Sequence, residues 1–216
     1  PNPAGAAPAR CGAALAMRLP HLAIGCPDRT DAGGLVTGYV ALYRLNEAGD
    51  AFVMDHRLYG DLPDRCGVAL AMTRNFLAYG CPTAREDQRG RVGVYRRNPL
   101  TDRFTEFDGN RLPVDPTPGM AFGSSLAMHE PGTIAIGPTS LRLAIGAPNA
   151  VYQGSAFPRG EVQMFHRDRD SGAWSSPAIL RLSAPGQGGN ELAAFGSALA
   201  INASQLVAGA PNNRFG

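Results

Sequence analysis

At 216 residues, with 20 basic side chains against 18 acidic ones, the chain can build a sizeable core and has no charge excess to recruit nucleic acid. Every basic residue is Arg, and the arginines are scattered along the chain. With 27 Gly and 18 Pro the composition suits many tight turns, and no apolar run approaches the roughly 20 residues that a membrane-spanning helix needs.

The opening stretch, Pro1 to Pro8, lacks the charged and apolar regions of a signal peptide, and a start at Pro reads as a processed form or a piece of a longer chain. Cys11-Gly-Ala-Ala-Leu-Ala-Met17 and Leu22-Ala-Ile-Gly-Cys-Pro27 then form two short apolar runs, read as a hairpin. Gly38–Tyr43 and Ala51–Asp55 read as two further strands. The same plan returns at Cys66-Gly-Val-Ala-Leu-Ala-Met72 and Leu77-Ala-Tyr-Gly-Cys-Pro82. There Thr73-Arg74 is the expected turn, and the strands Arg91–Tyr95 and Arg103–Phe107 follow. A third copy has Phe122-Gly-Ser-Ser-Leu-Ala-Met128, Leu143-Ala-Ile-Gly-Ala-Pro148, Gly160–Phe165 and Trp174–Leu182. Its hairpin is longer around Gly137–Leu141, so its tip is expected to project. The chain closes on Phe195-Gly-Ser-Ala-Leu-Ala-Ile201 and Leu206-Val-Ala-Gly-Ala-Pro211.

The leading glycines Gly12, Gly67, Gly123 and Gly196 stand 55, 56 and 73 residues apart, which signals a repeat architecture. Small residues and near-continuous apolar character predict first and second strands buried on both faces. Alternation predicts outer, half-solvated third and fourth strands. Radial repetition of four-stranded antiparallel sheets is the β-propeller solution to exposed edges, with a flat solenoid as the structural alternative. The expectation is therefore an all-β, partial propeller of about three and a half blades, a single domain over 1–216. Its blades lie near 10–64, 65–119, 120–189 and, incomplete, 190–216.

In two repeats Cys stands at both ends of the hairpin, Cys11 with Cys26 and Cys66 with Cys81. The other two have Phe122 with Ala147 and Phe195 with Ala210. The two positions change together, which argues contact. Pairing Leu15 opposite Leu22, and Leu70 opposite Leu77, sets each Cys pair across the hairpin within disulfide reach. Each of these disulfides would close about 15 residues and contribute roughly 3 kcal/mol. Four cysteines allow three pairings, and the other two need bonds between repeats. Disulfides imply an oxidising compartment, secreted or at the cell surface, and Asn202-Ala203-Ser204 is a glycosylation sequon at an expected hairpin tip.

Catalytic signatures are few. His21, His56, His129 and His166 fall at different phases of the repeat and read as scattered surface histidines. Asp55-His56 implies no nucleophile, and Ser124 and Ser125 are repeat positions shared with Ser197 and Ala198. No Gly-x-Ser-x-Gly, phosphate loop or His-Glu-x-x-His occurs, so no catalytic residue and no cofactor is expected. Asp28, Asp31, Glu86 and Asp87 read as solvated loop carboxylates. The loops 28–36, 83–90 and 149–159 leave the sheets at the cysteine end, where a rigid scaffold presents binding residues. Tyr152, Phe157 and Arg159 are the candidate partner contacts there.

The phrase Phe-Gly-x-Ser-Leu-Ala, then Leu-x-x-Gly-Ala-Pro, then Gly-x-Val-x-x-Phe/Tyr resembles the FG-GAP repeat of integrin α-subunit propellers. The likeness runs over residues 10–216 and is strongest in Phe122–Phe165 and Phe195–Pro211. It implies a seven-bladed propeller, secreted or displayed at the cell surface, that binds other proteins in adhesion, a coat or a filament. The repeat also occurs as a non-catalytic appendage of secreted enzymes. The family's Asp-rich calcium loop has no counterpart in Arg18–His21, Thr73–Asn75, His129–Gly132 or Asn202–Ser204, so no metal is expected in these blades. A closed ring needs more strands, expected from another segment or another chain. A lectin-like propeller holding a glycan is the second reading, with Trp174, the one Trp, as its platform.

Overall fold

The computed structural model describes residues 10–29, 36–59, 64–85, 87–132, 140–151, 157–181 and 193–212, and among these every regular element is a strand. The first sheet comprises β1 (Ala14–Arg18), β2 (His21–Cys26), β3 (Tyr39–Leu45) and β4 (Phe52–Tyr59). The second comprises β5 (Leu70–Met72), β6 (Phe76–Cys81), β7 (Arg91–Asn98) and β8 (Arg103–Arg111). β9 (Ser125–His129), β10 (Leu141–Ala147), β11 (Glu161–Arg167) and β12 (Ala178–Arg181) form the third, and β13 (Leu199–Ile201) with β14 (Leu206–Ala208) form a closing hairpin. Each four-stranded sheet is an antiparallel meander in chain order. The last strand of the third sheet is shorter than expected, because Trp174 makes only an isolated bridge to Arg167.

The hairpin register differs from the expected one by two residues. Leu15 faces Ile24 and Leu70 faces Tyr79, while Met17 faces Leu22 and Met72 faces Leu77. The cysteines meet all the same, because the ladder does not continue to them. Gly12 and Gly67, at φ +94° and +97°, turn the chain in a conformation that glycine adopts without penalty, and each donates its N–H to the carbonyl of Gly25 or Gly80. That turn folds Cys11 over Cys26 and Cys66 over Cys81, with Cα–Cα distances of 4.0 and 4.1 Å. Gly123 and Gly196 make the same turn at φ +93° and +88°, with Phe122 and Phe195 in place of cysteine. Ser124 and Ser197 brace it, each hydroxyl donating to the carbonyl three residues back.

The sheets stack face to face in chain order. Ala23, Val40, Leu42 and Leu58 of the first sheet pack on Leu77, Tyr79 and Phe104 of the second, joined by Leu70, Met72 and Tyr95. Ala71, Ala78, Val92 and Val94 of the second pack on Leu126, Leu143, Ile145 and Phe165 of the third. Ala127, Ala144 and Val162 of the third pack on Leu199, Ile201 and Leu206 of the hairpin. Each contact lays bulky residues against a face of the preceding sheet whose first two strands carry a cross-strand pair of alanines: Ala16 with Ala23, Ala71 with Ala78, and Ala127 with Ala144. Leu77, Leu143, Ile145, Phe104 and Phe122 are fully buried, each contributing about 1.5–3 kcal/mol.

Backbone closes the same contacts. A methyl at Gly25, Gly80 or Gly146 would stand 2.0, 1.9 or 2.1 Å from the carbonyl oxygen of Gly67, Gly123 or Gly196 in the next repeat. Beside each, the N–H of Cys66, Phe122 or Phe195 donates to the carbonyl of Thr37, Arg89 or Arg159. Burial follows the stacking and corrects the expected pattern. β6 is wholly buried and the first halves of β7 and β11 are buried too, whereas β1 lies largely exposed because, among the described residues, no sheet covers its outer face.

Polar ties bridge the sheets. His21, expected at the surface, is buried at 6% exposure, edge-on to the Phe104 ring and 3.4 Å from Asp102. Burial pushes its imidazole below the ordinary histidine value, against the pull of the Asp102 carboxylate. Burial alone would raise Asp102, but hydrogen bonding from Arg97 and the nearby His21 and Arg44 hold it below the usual carboxylate range. His56 lies between the Asp55 carboxylate and the Phe104 carbonyl, at 2.9 and 3.1 Å. Asp108 accepts two hydrogen bonds from Arg167 and one from the Trp174 indole N–H.

Three outcomes test this fold. Gly80→Ala is expected to lose about 3 kcal/mol or more in urea unfolding, because the obstacle is backbone. Gly132→Ala, with open space around it, changes stability by less than about 0.5 kcal/mol. Equal losses for the two would refute the close glycine contact. Mild reduction of the native chain followed by alkylation and mass spectrometry should label Cys11 and Cys26 before Cys66 and Cys81, since Cys11 is exposed and the second pair is fully buried. The reverse order would contradict the stacking. Because the folded pKa of His21 lies below its unfolded value of about 6.5, the unfolded chain takes up the proton first as pH falls. Thermal melts should therefore show stability falling just below pH ~6.5. His21→Gln should lose less over the same interval, and an unchanged loss would mean that His21 does not titrate this way.

Candidate functional site

At the disulfide end a cleft of about 390 Å³ opens between the first two repeats, lined by Arg10, Ala13, Pro27, Arg65, Val68, Pro82 and Thr83. Its walls are the repeated turns themselves. Pro27 and Pro82 follow the second cysteine of each pair, and Arg10 and Arg65 precede the first. Both arginines adopt positive φ, +43° and +46°, as do Ala121 and Ala194 at the same repeat position.

Arg10 and Arg65 share one counter-ion. Arg10 Nη1 lies 2.9 Å from Asp28, and Arg65 also pairs with Asp28. Two guanidinium groups on one carboxylate leave one net positive charge at the cleft. Arg65 Nε and the Thr83 hydroxyl are buried and have no hydrogen-bond partner among the described residues. A donor-rich, partly solvated cleft of this kind suits a carboxylate or another oxyanion, which a guanidinium binds through paired N–H groups. Beside it Arg29 stacks on the rings of Tyr39 and Tyr59, at 5.9 and 5.2 Å, and Arg57 lies 5.4 Å from Tyr39.

The sequence-expected residues distribute as follows. Cys11–Cys26 and Cys66–Cys81 stand at disulfide distance at this end, which is compatible with an oxidising compartment. Of the candidate contacts, Phe157 and Arg159 are half-buried beside the third repeat, where the Arg159 backbone ties to Ala150 and Phe195, and Tyr152 lies outside the described residues. They do not line the cleft. Asp28 belongs to it, Asp87 pairs with Arg89, and Asp31 and Glu86 lie outside the described residues. Asn202 is exposed on the β13–β14 turn, its side-chain carbonyl accepting from the N–H groups of Ser204 and Gln205. Ser125 donates to the Gly196 carbonyl. Trp174, the expected sugar platform, spends its N–H on Asp108 and has Arg111 over its ring at 4.7 Å.

The paired arginines are what the sequence reading missed. Their signal is internal to the chain: Arg precedes Cys in both stapled repeats, where the other two carry Ala121 and Ala194. Among the described residues no group of three or more His, Cys, Asp or Glu is placed to hold a metal ion.

No family model matches this chain, and no curated protein matches it. Among solved structures, the crystal structure of Saccharomyces cerevisiae Sqt1 is similar, with 12% identity and a TM-score of 0.47. The match covers 81% of this chain and 36% of that one, so this chain spans little more than a third of its length.

Proposed function

We propose that the chain is a non-catalytic segment of an FG-GAP-type β-propeller, displayed outside the cell or secreted, that holds a protein partner at its disulfide end. The observation that carries this reading is the pair of cationic side chains at the cleft between two covalently stapled turns. The stapled turns leave Arg10 and Arg65 partly open to solvent, and their shared Asp28 neutralises only one of them. An acidic side chain of a partner supplies the missing charge. The tyrosines and arginines around Tyr39 and Tyr59 give the contact the composition that dominates protein interfaces. The disulfides and the exposed sequon at Asn202 support a secretory route.

Cross-linking the chain to proteins of its native extracellular surroundings, with mass spectrometry of what is captured, tests this. A partner whose capture falls about tenfold or more in the Arg10→Ala, Arg65→Ala double variant supports it, a loss in keeping with charge-assisted hydrogen bonds. Capture should survive in Arg169→Ala, which removes an exposed arginine elsewhere. Glycan-array binding with no protein captured would replace this reading with the lectin one.

A further inference from the structure

The cleft at the disulfide end holds donors that the fold does not use. Asp28 takes Arg10 Nη1 and Arg65 Nη2. Arg65 Nε and the Thr83 hydroxyl are buried and, among the described residues, unpaired. Arg10, its side chain 68% exposed, turns further N–H groups to solvent. A buried donor left without an acceptor costs stability until something arrives to accept from it.

The rest of the cleft is apolar. Two consecutive repeats face each other across it, the first through Pro27 and the second through Val68 and Pro82. Each proline directly follows a cysteine of its own disulfide, so the gap between them is held before any ligand enters. At about 390 Å³ the space is far larger than a carboxylate and has room for a ring between the prolines.

We infer that the group entering this cleft is a sulfated tyrosine of the protein partner, its ring between Pro27 and Pro82 and its sulfate on Arg10, Arg65 and Thr83. The inference rests on the reading of this end as a protein-binding site and names the side chain that fills it. A carboxylate is matched by paired N–H groups in one plane, a role that Asp28 already fills here. The donors left over come singly from three side chains, and a sulfate ester offers an oxygen to each. Charge selects in the same direction. One carboxylate on two guanidinium groups leaves one positive charge, equal and opposite to that of a sulfate ester, whereas a phosphate ester carries about −1.5 to −2.

Fluorescence anisotropy with one labelled peptide, its single tyrosine left plain, sulfated, phosphorylated or replaced by para-carboxyphenylalanine, tests this on the chain with both disulfides intact. The sulfated form should bind at least about tenfold more tightly than each of the others. Thr83→Val keeps the shape and removes the hydroxyl, and Arg65→Lys keeps the charge and removes Nε. Each should weaken the sulfated peptide by about tenfold, the worth of a hydrogen bond to a charged group, with an unchanged melting curve. Equal binding of the carboxyl or phosphorylated form, or an affinity indifferent to Thr83→Val, would overturn the inference and leave the protein-binding reading standing. No binding of any peptide, with partner capture still dependent on Arg10 and Arg65, would do the same. Capture indifferent to both arginines would remove that reading as well.

Discussion

The structure depends on a backbone contact that tolerates no side chain. In each repeat a glycine at positive φ turns the chain, and in the second, third and fourth its carbonyl presses on the α-carbon of a second glycine in the preceding repeat. Both glycines are therefore fixed, for different reasons. The first needs a conformation that other residues adopt only under strain. The second, Gly25, Gly80 or Gly146, needs absence of volume, since a methyl would overlap a main-chain oxygen by more than 1 Å of ordinary contact distance. A two-glycine contact sets how close the sheets come, and that distance decides which side chains fit between them.

At that spacing small residues are needed on one side of the gap along the first two strands. Leu, Met, Ile and aromatic side chains on the near face reach across to the paired alanines on the far face, and the arrangement gives the stack a direction. It also leaves space for polar groups only where they are satisfied. His21 occupies the repeat position that Phe76 fills in the second repeat, and both are buried against the following sheet. His21 is accommodated there by Asp102, itself held by Arg97 and Arg44, while Phe76 is covered by the Arg167 guanidinium at 5.0 Å. Buried Glu161 is met by Arg181 and by Gln163, and buried Arg91 by Asp64. Such pairs add little net stability, and they satisfy charges that the close stacking buries.

Much of this was legible in the residues. The repeat, the strand count of each sheet and the cysteine pairing follow from words spelled four times and from two positions that change together. The hairpin register was not, because simple alternation assumes a continuous ladder, and a glycine at positive φ breaks it one residue after the cysteine. The two-residue error and the correct pairing coexist for that reason. The burial of His21 was readable in principle by aligning it with Phe76, but a histidine near a hairpin tip carries no hydrophobic signal of its own. The exposure of β1 depends on what packs against its outer face, which no local pattern encodes. The Arg10–Asp28–Arg65 cluster joins residues from two repeats, and only the fold brings them within reach.

The two disulfides hold their turns by a different means from the phenylalanines. Phe122 holds its turn by burial: it is fully enclosed between sheets and lies edge-on to Phe165 at 6.4 Å. That mechanism needs a sheet on the near side. Among the described residues no sheet covers position 11, and Cys11 is exposed, whereas Cys66 is buried. A disulfide works through the unfolded chain, removing its freedom whether or not anything covers the bond, and for a loop of 15 residues it contributes about as much as a buried phenylalanine. The first turn is thereby stable without a neighbour. The second, stapled as well, keeps Arg65 in place beside it. A cleft lined by two stapled turns keeps its shape while open to solvent, which is the condition for Arg10 and Arg65 to meet a ligand.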